Sequence, residues 1–162
     1  MDIILEELTA GLPDARQLAR IVIRLLVAML LGAIVGVQRE QTGKPAGLRT
    51  HILVALGAAL FVIAPVEAGM TSDDLSRVIQ GLATGIGFIG GGAILKLSEE
   101  REIKGLTTAA GIWMTAAMGV AAGLGRIGMA LLSVLLTWFI LAVIGKIEHR
   151  ISQAQAARDD AP

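Results

Sequence analysis

"DDLSRVIQGLATGIGFIGGGAILK", residues Asp73 to Lys96, contains Gly85-Ile-Gly87-Phe-Ile-Gly90, which satisfies the G-x-G-x-x-G spacing of dinucleotide-binding turns. A turn of that kind needs a strand before its glycines and an acidic residue about 20 residues beyond them. Here the glycines lie inside one apolar segment with no strand ahead, and Glu102, at a suitable distance, falls in a charged loop. Helical spacing fits instead. Asp73, Arg77, Gln80, Thr84, Gly87 and Gly91 recur at steps of four and three, a single stripe that is polar at its head and glycine at its tail. Gly81 and Gly85, with Gly87 and Gly91, supply the small-xxx-small spacing that lets helix backbones approach closely in lipid. The stretch reads as a membrane helix with a face made for packing.

The rest of the chain agrees. Of 162 residues, 54% are hydrophobic and the mean hydropathy is +0.72, too apolar for an ordinary soluble domain. There are 20 glycines, no cysteine and 3% aromatics, which excludes disulfides and thiolate metal sites. A net charge of zero gives no support for nucleic-acid binding. Five segments approach the roughly 20 apolar residues that cross a bilayer: Arg20–Val37, Leu48–Val66, Arg77–Leu97, Leu106–Leu124 and Ile127–Lys146. The expected fold is an all-α integral membrane protein of five transmembrane helices. Residues 1–19 read as an interfacial segment, amphipathic through Ile3, Ile4, Leu5, Leu8 and Leu12 rather than a cleavable signal. Residues 20–147 form the membrane domain and 148–162 a polar tail.

Lys and Arg set the expected orientation. Arg39, Lys44, Arg49, Lys96, Arg101, Lys104, Lys146, Arg150 and Arg158 lie on one side, against Arg16, Arg20, Arg24, Arg77 and Arg126 on the other. The positive-inside rule then places the C-terminus in the cytoplasm and the N-terminus outside.

The first span repeats the stripe. Arg20, Arg24, Ala28, Gly32, Gly36 and Glu40 are each four apart, and the small stripe of the third span is the expected partner. A charge within a span costs about 2.5–3.5 kcal/mol on insertion scales, so Arg24 is expected to pair with Asp73 or Asp74 while Gln80 hydrogen-bonds below. The plainer alternative is a pair that only fixes helix registry. "AGLRTHILVALGAA" and "KGLTTAAGIWMTAA" align without gaps through Gly47/Gly105, Leu48/Leu106, Thr50/Thr108 and Ala58/Ala116, which suggests two repeated helical hairpins followed by a fifth helix.

In that repeat two helices begin on the cytoplasmic side beside Arg49, His51 and Lys104. An anion or an acidic segment could dock on their N-termini. Ordinary capping by Thr50 and Thr108, next to a solvated charged loop, is the favoured reading. Neither His51 nor His149 has partners at metal-ligand spacing. Asp73 and Asp74 with Glu67 are weak candidates for a loose Mg2+ site. No nucleophile–base pair emerges, so neither an enzyme nor a cofactor is expected.

"RLLVAMLLGAIVGVQRE", "PAGLRTHILVALGAALF", the Asp73–Lys96 stretch and "KGLTTAAGIWMTAAMGVAAGLG" together resemble the membrane domain of the MgtC/SapB family, from about Arg20 to Gly125. The resemblance implies a bacterial inner-membrane protein linked to growth and virulence under low magnesium. It implies regulation of other membrane proteins, the proton-driven ATP synthase among them, more than transport. A homodimer is compatible with the small-residue faces. Carried over by motif, the functional polar set is Arg39, Glu40, Arg49, Thr50, His51, Asp74, Arg77, Gln80, Thr107 and Thr108, joined by Arg24 from the stripe above. Many relatives continue into a soluble regulatory domain, whereas this chain is expected to be the membrane unit alone.

Overall fold

A computed structural model describes residues 3–4, 13–97 and 102–145. The elements are α1 (Ala15–Gln41), α2 (Leu48–Glu67), α3 (Ser72–Gly92), β1 (Leu95–Leu97), β2 (Glu102–Lys104), α4 (Leu106–Gly123) and α5 (Ile127–Phe139), the last running on as a π-helical turn, Ile140–Ile144. Among the described residues four helices, α1, α2, α4 and α5 with its π turn, are long and apolar enough to cross a membrane. The fifth, α3, has 21 residues, or about 31 Å of helix, so it falls short in composition rather than length. Arg77, Gln80, Thr84 and its glycines dilute it.

Two boundaries differ from the sequence reading. Helix α1 starts at Ala15, five residues before Arg20, because Asp14 caps it by accepting from the Gln17 amide at 2.6 Å. Ile3 and Ile4 are helical and exposed, while Leu5, Leu8 and Leu12 lie outside the described residues, as does the tail 148–162. The third span ends at Gly92 instead of Leu97. Three consecutive glycines favour helix weakly, and the chain then turns into a short antiparallel ladder that pairs Leu95 with Lys104 and Leu97 with Glu102. The residues that flank the charged connection are therefore paired strands, while 98–101 lie outside the described residues.

Helices α1, α2 and α4 form the centre, with α5 against α4 and α1, and α3 against α4 and α2. Ala28, Leu31 and Val35 of α1 meet Ala55, Ala59 and Ile63 of α2 and Met118 and Ala122 of α4 in one buried cluster. Glycine sets the spacing there. A Cβ on Gly32 would fall 2.6 Å from the His51 carbonyl oxygen, and one on Gly36 2.7 Å from the Leu48 Cα. From the other side, Gly123 sits where a Cβ would come 2.8 Å from the Ala59 carbonyl. Helix α2 is thus clasped between the glycine faces of α1 and α4.

That arrangement corrects the expected pairing of small stripes. Gly32 and Gly36 pack on α2 and not on α3, because α4 rather than α3 occupies the place beside α1. The glycines of α3 that carried the fold argument, Gly81, Gly85, Gly87 and Gly91, have no heavy atom within 4 Å of an added Cβ. Helix α3 buries only Ile86 and Gly90, a different face from the stripe. Gly47 and Gly105, which the suggested repeat aligns, are both N-caps. Their backbones differ, since Gly105 alone has a positive φ, +101°.

Candidate functional site

Polar groups gather where the end of α1 meets the beginnings of α2 and α4. Arg39, in the last turn of α1, is 3% exposed, and its Nη2 donates to Thr108 Oγ1 at 3.0 Å. His51, in the opening turn of α2, is fully buried, and its Nδ1 lies 2.8 Å from Thr115 Oγ1. The Thr115 hydroxyl also donates to the Gly111 carbonyl at 2.9 Å, and the Ala46 backbone carbonyl is a second hydrogen-bonding group beside the His51 ring. The His51 Nε2 is buried and makes no hydrogen bond of good geometry. Arg39 Nε–H is likewise buried and unpaired.

Helix α4 supplies the floor. Thr108, Gly111 and Thr115 are spaced three and four apart on one buried face. The His51 Cε1 lies 3.6 Å from the position of a Gly111 Cβ. The connection 42–47 covers this end. Ala46 is its buried residue, and the four before it are exposed.

The carboxylate next in sequence does not neutralise Arg39. Glu40 turns away and its Oε2 accepts from the Leu48 amide at 2.8 Å, capping α2. The cation sits favourably at the C-terminal end of its own helix, but also over the N-terminal, partially positive ends of α2 and α4. Neither helix has a side-chain cap from its Gly47 or Gly105 N-cap residue.

The remaining sequence candidates are dispersed. Arg49 and Thr107 are exposed and Thr50 is half-buried. At the opposite end Asp74 accepts from the Thr71 hydroxyl at 2.7 Å, and the Thr71 hydroxyl accepts from the Asp74 amide at 3.3 Å, a cap on α3. Arg77, Gln80 and Thr84 are exposed, the Thr84 hydroxyl donating to the Gln80 carbonyl of its own helix. Glu67 accepts from the Gln17 side-chain amide. Among the described residues no group of three acidic or imidazole side chains converges, so Asp73, Asp74 and Glu67 are not gathered into such a cluster.

Arg24 requires a correction. Its Nη1 donates to the Gly123 carbonyl at 3.0 Å and its guanidinium lies over Gly125, whose φ is +74°. It closes the C-terminus of α4 instead of pairing with Asp73 or Asp74. The reason is positional: α1 borders α4, and helix-end carbonyls need donors.

The sequence reading missed Thr115, Gly119 and Gly123. The signal was present, since Gly111, Thr115, Gly119 and Gly123 are each four apart. It also missed Gln38, whose Nε2 donates to the Leu141 carbonyl at 3.2 Å while its Oε1 stays buried and unpaired.

Comparison with known proteins adds identity of kind. A family profile described as the MgtC family matches residues 25–150. Protein SrpB of Synechococcus elongatus is 43% identical across 78% of this chain and 75% of its own length. The putative magnesium transporter YhiD of Escherichia coli is 37% identical across 82% of this chain and 64% of its own length. Protein MgtC of Salmonella typhimurium is 37% identical across 82% of this chain and 55% of its own length. The chain thus spans less than two thirds of the latter two relatives. No solved structure matches it.

Proposed function

The chain belongs to the MgtC family, and from that premise we propose that this multi-pass membrane protein is a non-catalytic regulator. It works by docking on another membrane protein. The observation that carries the reading is the uncovered stripe of α3: Arg77, Gln80, Thr84, Gly87 and Gly91 lie on an exposed face with open space over every glycine. Polar side chains facing lipid are unfavourable and glycines facing lipid pack nothing, whereas both favour helix–helix contact. In this reading the protein resides in the bacterial inner membrane with its N-terminus outside. It serves adaptation to low magnesium, and the proton-driven ATP synthase is the partner the family suggests. A second copy of the chain is the other occupant to be tested.

The experiment is copurification in mild detergent from native membranes. A defined partner should be retained by the wild type and lost on Gly87→Leu or Gly91→Leu. Retention by both variants would overturn the docking reading. The name of the YhiD relative favours a second one, transport of Mg2+. Saturable Mg2+ flux into liposomes, abolished by Asp74→Asn, would establish transport in place of regulation.

A further inference from the structure

We propose that the surface where α1 and α5 begin side by side is a headgroup site for an anionic phospholipid. Arg16, Arg20 and Arg24 follow one another on α1 at steps of four residues, each about 6 Å of rise. Arg24 fixes the level of this row. Its Nη1 bonds the Gly123 carbonyl at the end of α4, and its guanidinium lies over Gly125. Arg126 follows Gly125 directly and opens α5. Arg20 shares the face of α1 that meets α5: it precedes Gln38 by 18 residues, five whole turns, and Gln38 bonds the Leu141 carbonyl. The two helices run in the same direction, because Arg24 lies at the start of α5 and Gln38 at its far end.

The charge there is open. Arg20 and Arg126 are exposed, and among the described residues no carboxylate pairs with either of them or with Arg24. The first turn of α5 holds no acid, while Asp14, Glu67 and Asp74 are engaged by Gln17 and Thr71. The residue type selects the ligand. Every described cation at this end is an arginine, Arg16, Arg20, Arg24, Arg77 and Arg126, whereas Lys44 and Lys104 stand beside Arg39 and Arg49 at the other. Charge alone does not choose between the two, but the guanidinium fork matches phosphate oxygens bidentately where lysine offers a point charge. Depth selects lipid as the source. Helices α4 and α5 are each long and apolar enough to cross a membrane, so the turn between them, where Arg24 and Arg126 sit, lies at headgroup level. Exposed apolar side chains continue below it, Ile23 and Leu30 on α1 and Met129 and Leu132 on α5, where acyl chains would lie.

Native mass spectrometry of the purified full chain in a neutral detergent, titrated with phosphatidylglycerol, tests the site. Binding should saturate and should exceed that of phosphatidylcholine about tenfold or more. Arg20→Gln and Arg126→Gln should each weaken it about fivefold, while Lys44→Gln and Arg49→Gln at the other end should leave it unchanged. The paired change Arg20→Lys and Arg126→Lys keeps the charge and should still fall short of wild-type affinity. Arg24 stays intact throughout, because it also closes α4, and circular dichroism checks that each variant retains its helices. Equal binding of phosphatidylcholine, displacement of the lipid by inorganic phosphate, or unchanged binding in folded Arg20→Gln and Arg126→Gln would each overturn the proposal. Equal weakening by Lys44→Gln, or full affinity in the lysine pair, would overturn it as well.

Discussion

Gly119 of α4 lies so close to the carbonyl oxygen of Ala55 in α2 that a methyl group on it would overlap that oxygen. Gly85 of α3, equally helical, faces open space. The two glycines should therefore answer substitution in opposite ways. Gly119→Ala forces α4 from α2 and should destabilise by about 1–3 kcal/mol. Gly85→Ala removes backbone freedom without a clash and should be neutral or stabilise by about 0.5–1 kcal/mol. Unfolding titrations in mixed micelles measure both, and equal losses would refute the assignment of the packed face.

Gly105 gives a second contrast, because its φ is +101° and an added Cβ would strike the Ala93 carbonyl. Gly105→Ala should cost about 1–3 kcal/mol and loosen the β1–β2 hairpin against the start of α4. Gly43, with φ +65° and nothing within 4 Å, should accept Asn with little loss. Thermal unfolding of the two variants side by side checks the ordering.

Arg24 bears on how far the sequence reaches. The helices themselves were legible, because four of them are long apolar runs and α3 keeps its stripe at helical spacing. Which stripe meets which was not, since small residues announce that something packs closely without specifying what. Arg24 looked like a partner for the acidic head of α3, yet the α4 carbonyls lie beside it. Spacing within a segment carries no information about the neighbour across it. Arg39 and His51 were visible as polar residues at helix ends, but their burial and their bonds to Thr108 and Thr115 arise only from the close approach of α1, α2 and α4.

The Arg24 cap predicts a specific coupling pattern. Arg24→Met should lose about 1–2 kcal/mol through the freed α4 C-terminus. Combined with Asp73→Asn or Asp74→Asn, the losses should add within about 0.5 kcal/mol, because the groups share no contact. A coupling above 1 kcal/mol in the double-mutant cycle would restore the ion pair. Thr71→Ala should independently cost about 0.5–2 kcal/mol by removing the cap of α3.

Thr115 tests the floor beneath His51. Thr115→Val keeps the side-chain shape but deletes the hydroxyl partner of Nδ1 on a fully buried histidine. The expected loss is about 1–3 kcal/mol. Thr107→Val, one residue from the buried Thr108 but exposed, should change stability by less than about 0.5 kcal/mol. Nitrogen-15 histidine spectra supply the second check: the Nδ1 resonance of His51 should shift in Thr115→Val and stay in place in Thr107→Val.

The exposed face of α3 is open to a direct test because the chain contains no cysteine. Single cysteines can be placed at Gln80, Thr84, Gly87 and Gly91, all on the stripe, and at Leu132 and Leu135, exposed on α5. If the stripe receives a partner in native membranes, a short bifunctional crosslinker should capture a larger species from the four α3 sites and much less from the α5 pair. Leu132 and Leu135 lie among the exposed leucines of α5, which lipid solvates well, whereas the α3 face combines exposed polar groups with missing side chains. A product at twice the protomer mass identifies a second copy, and any other mass a different protein. Equal labelling of α3 and α5 by a lipid-soluble maleimide, with no crosslink from either, would mean that lipid alone covers α3.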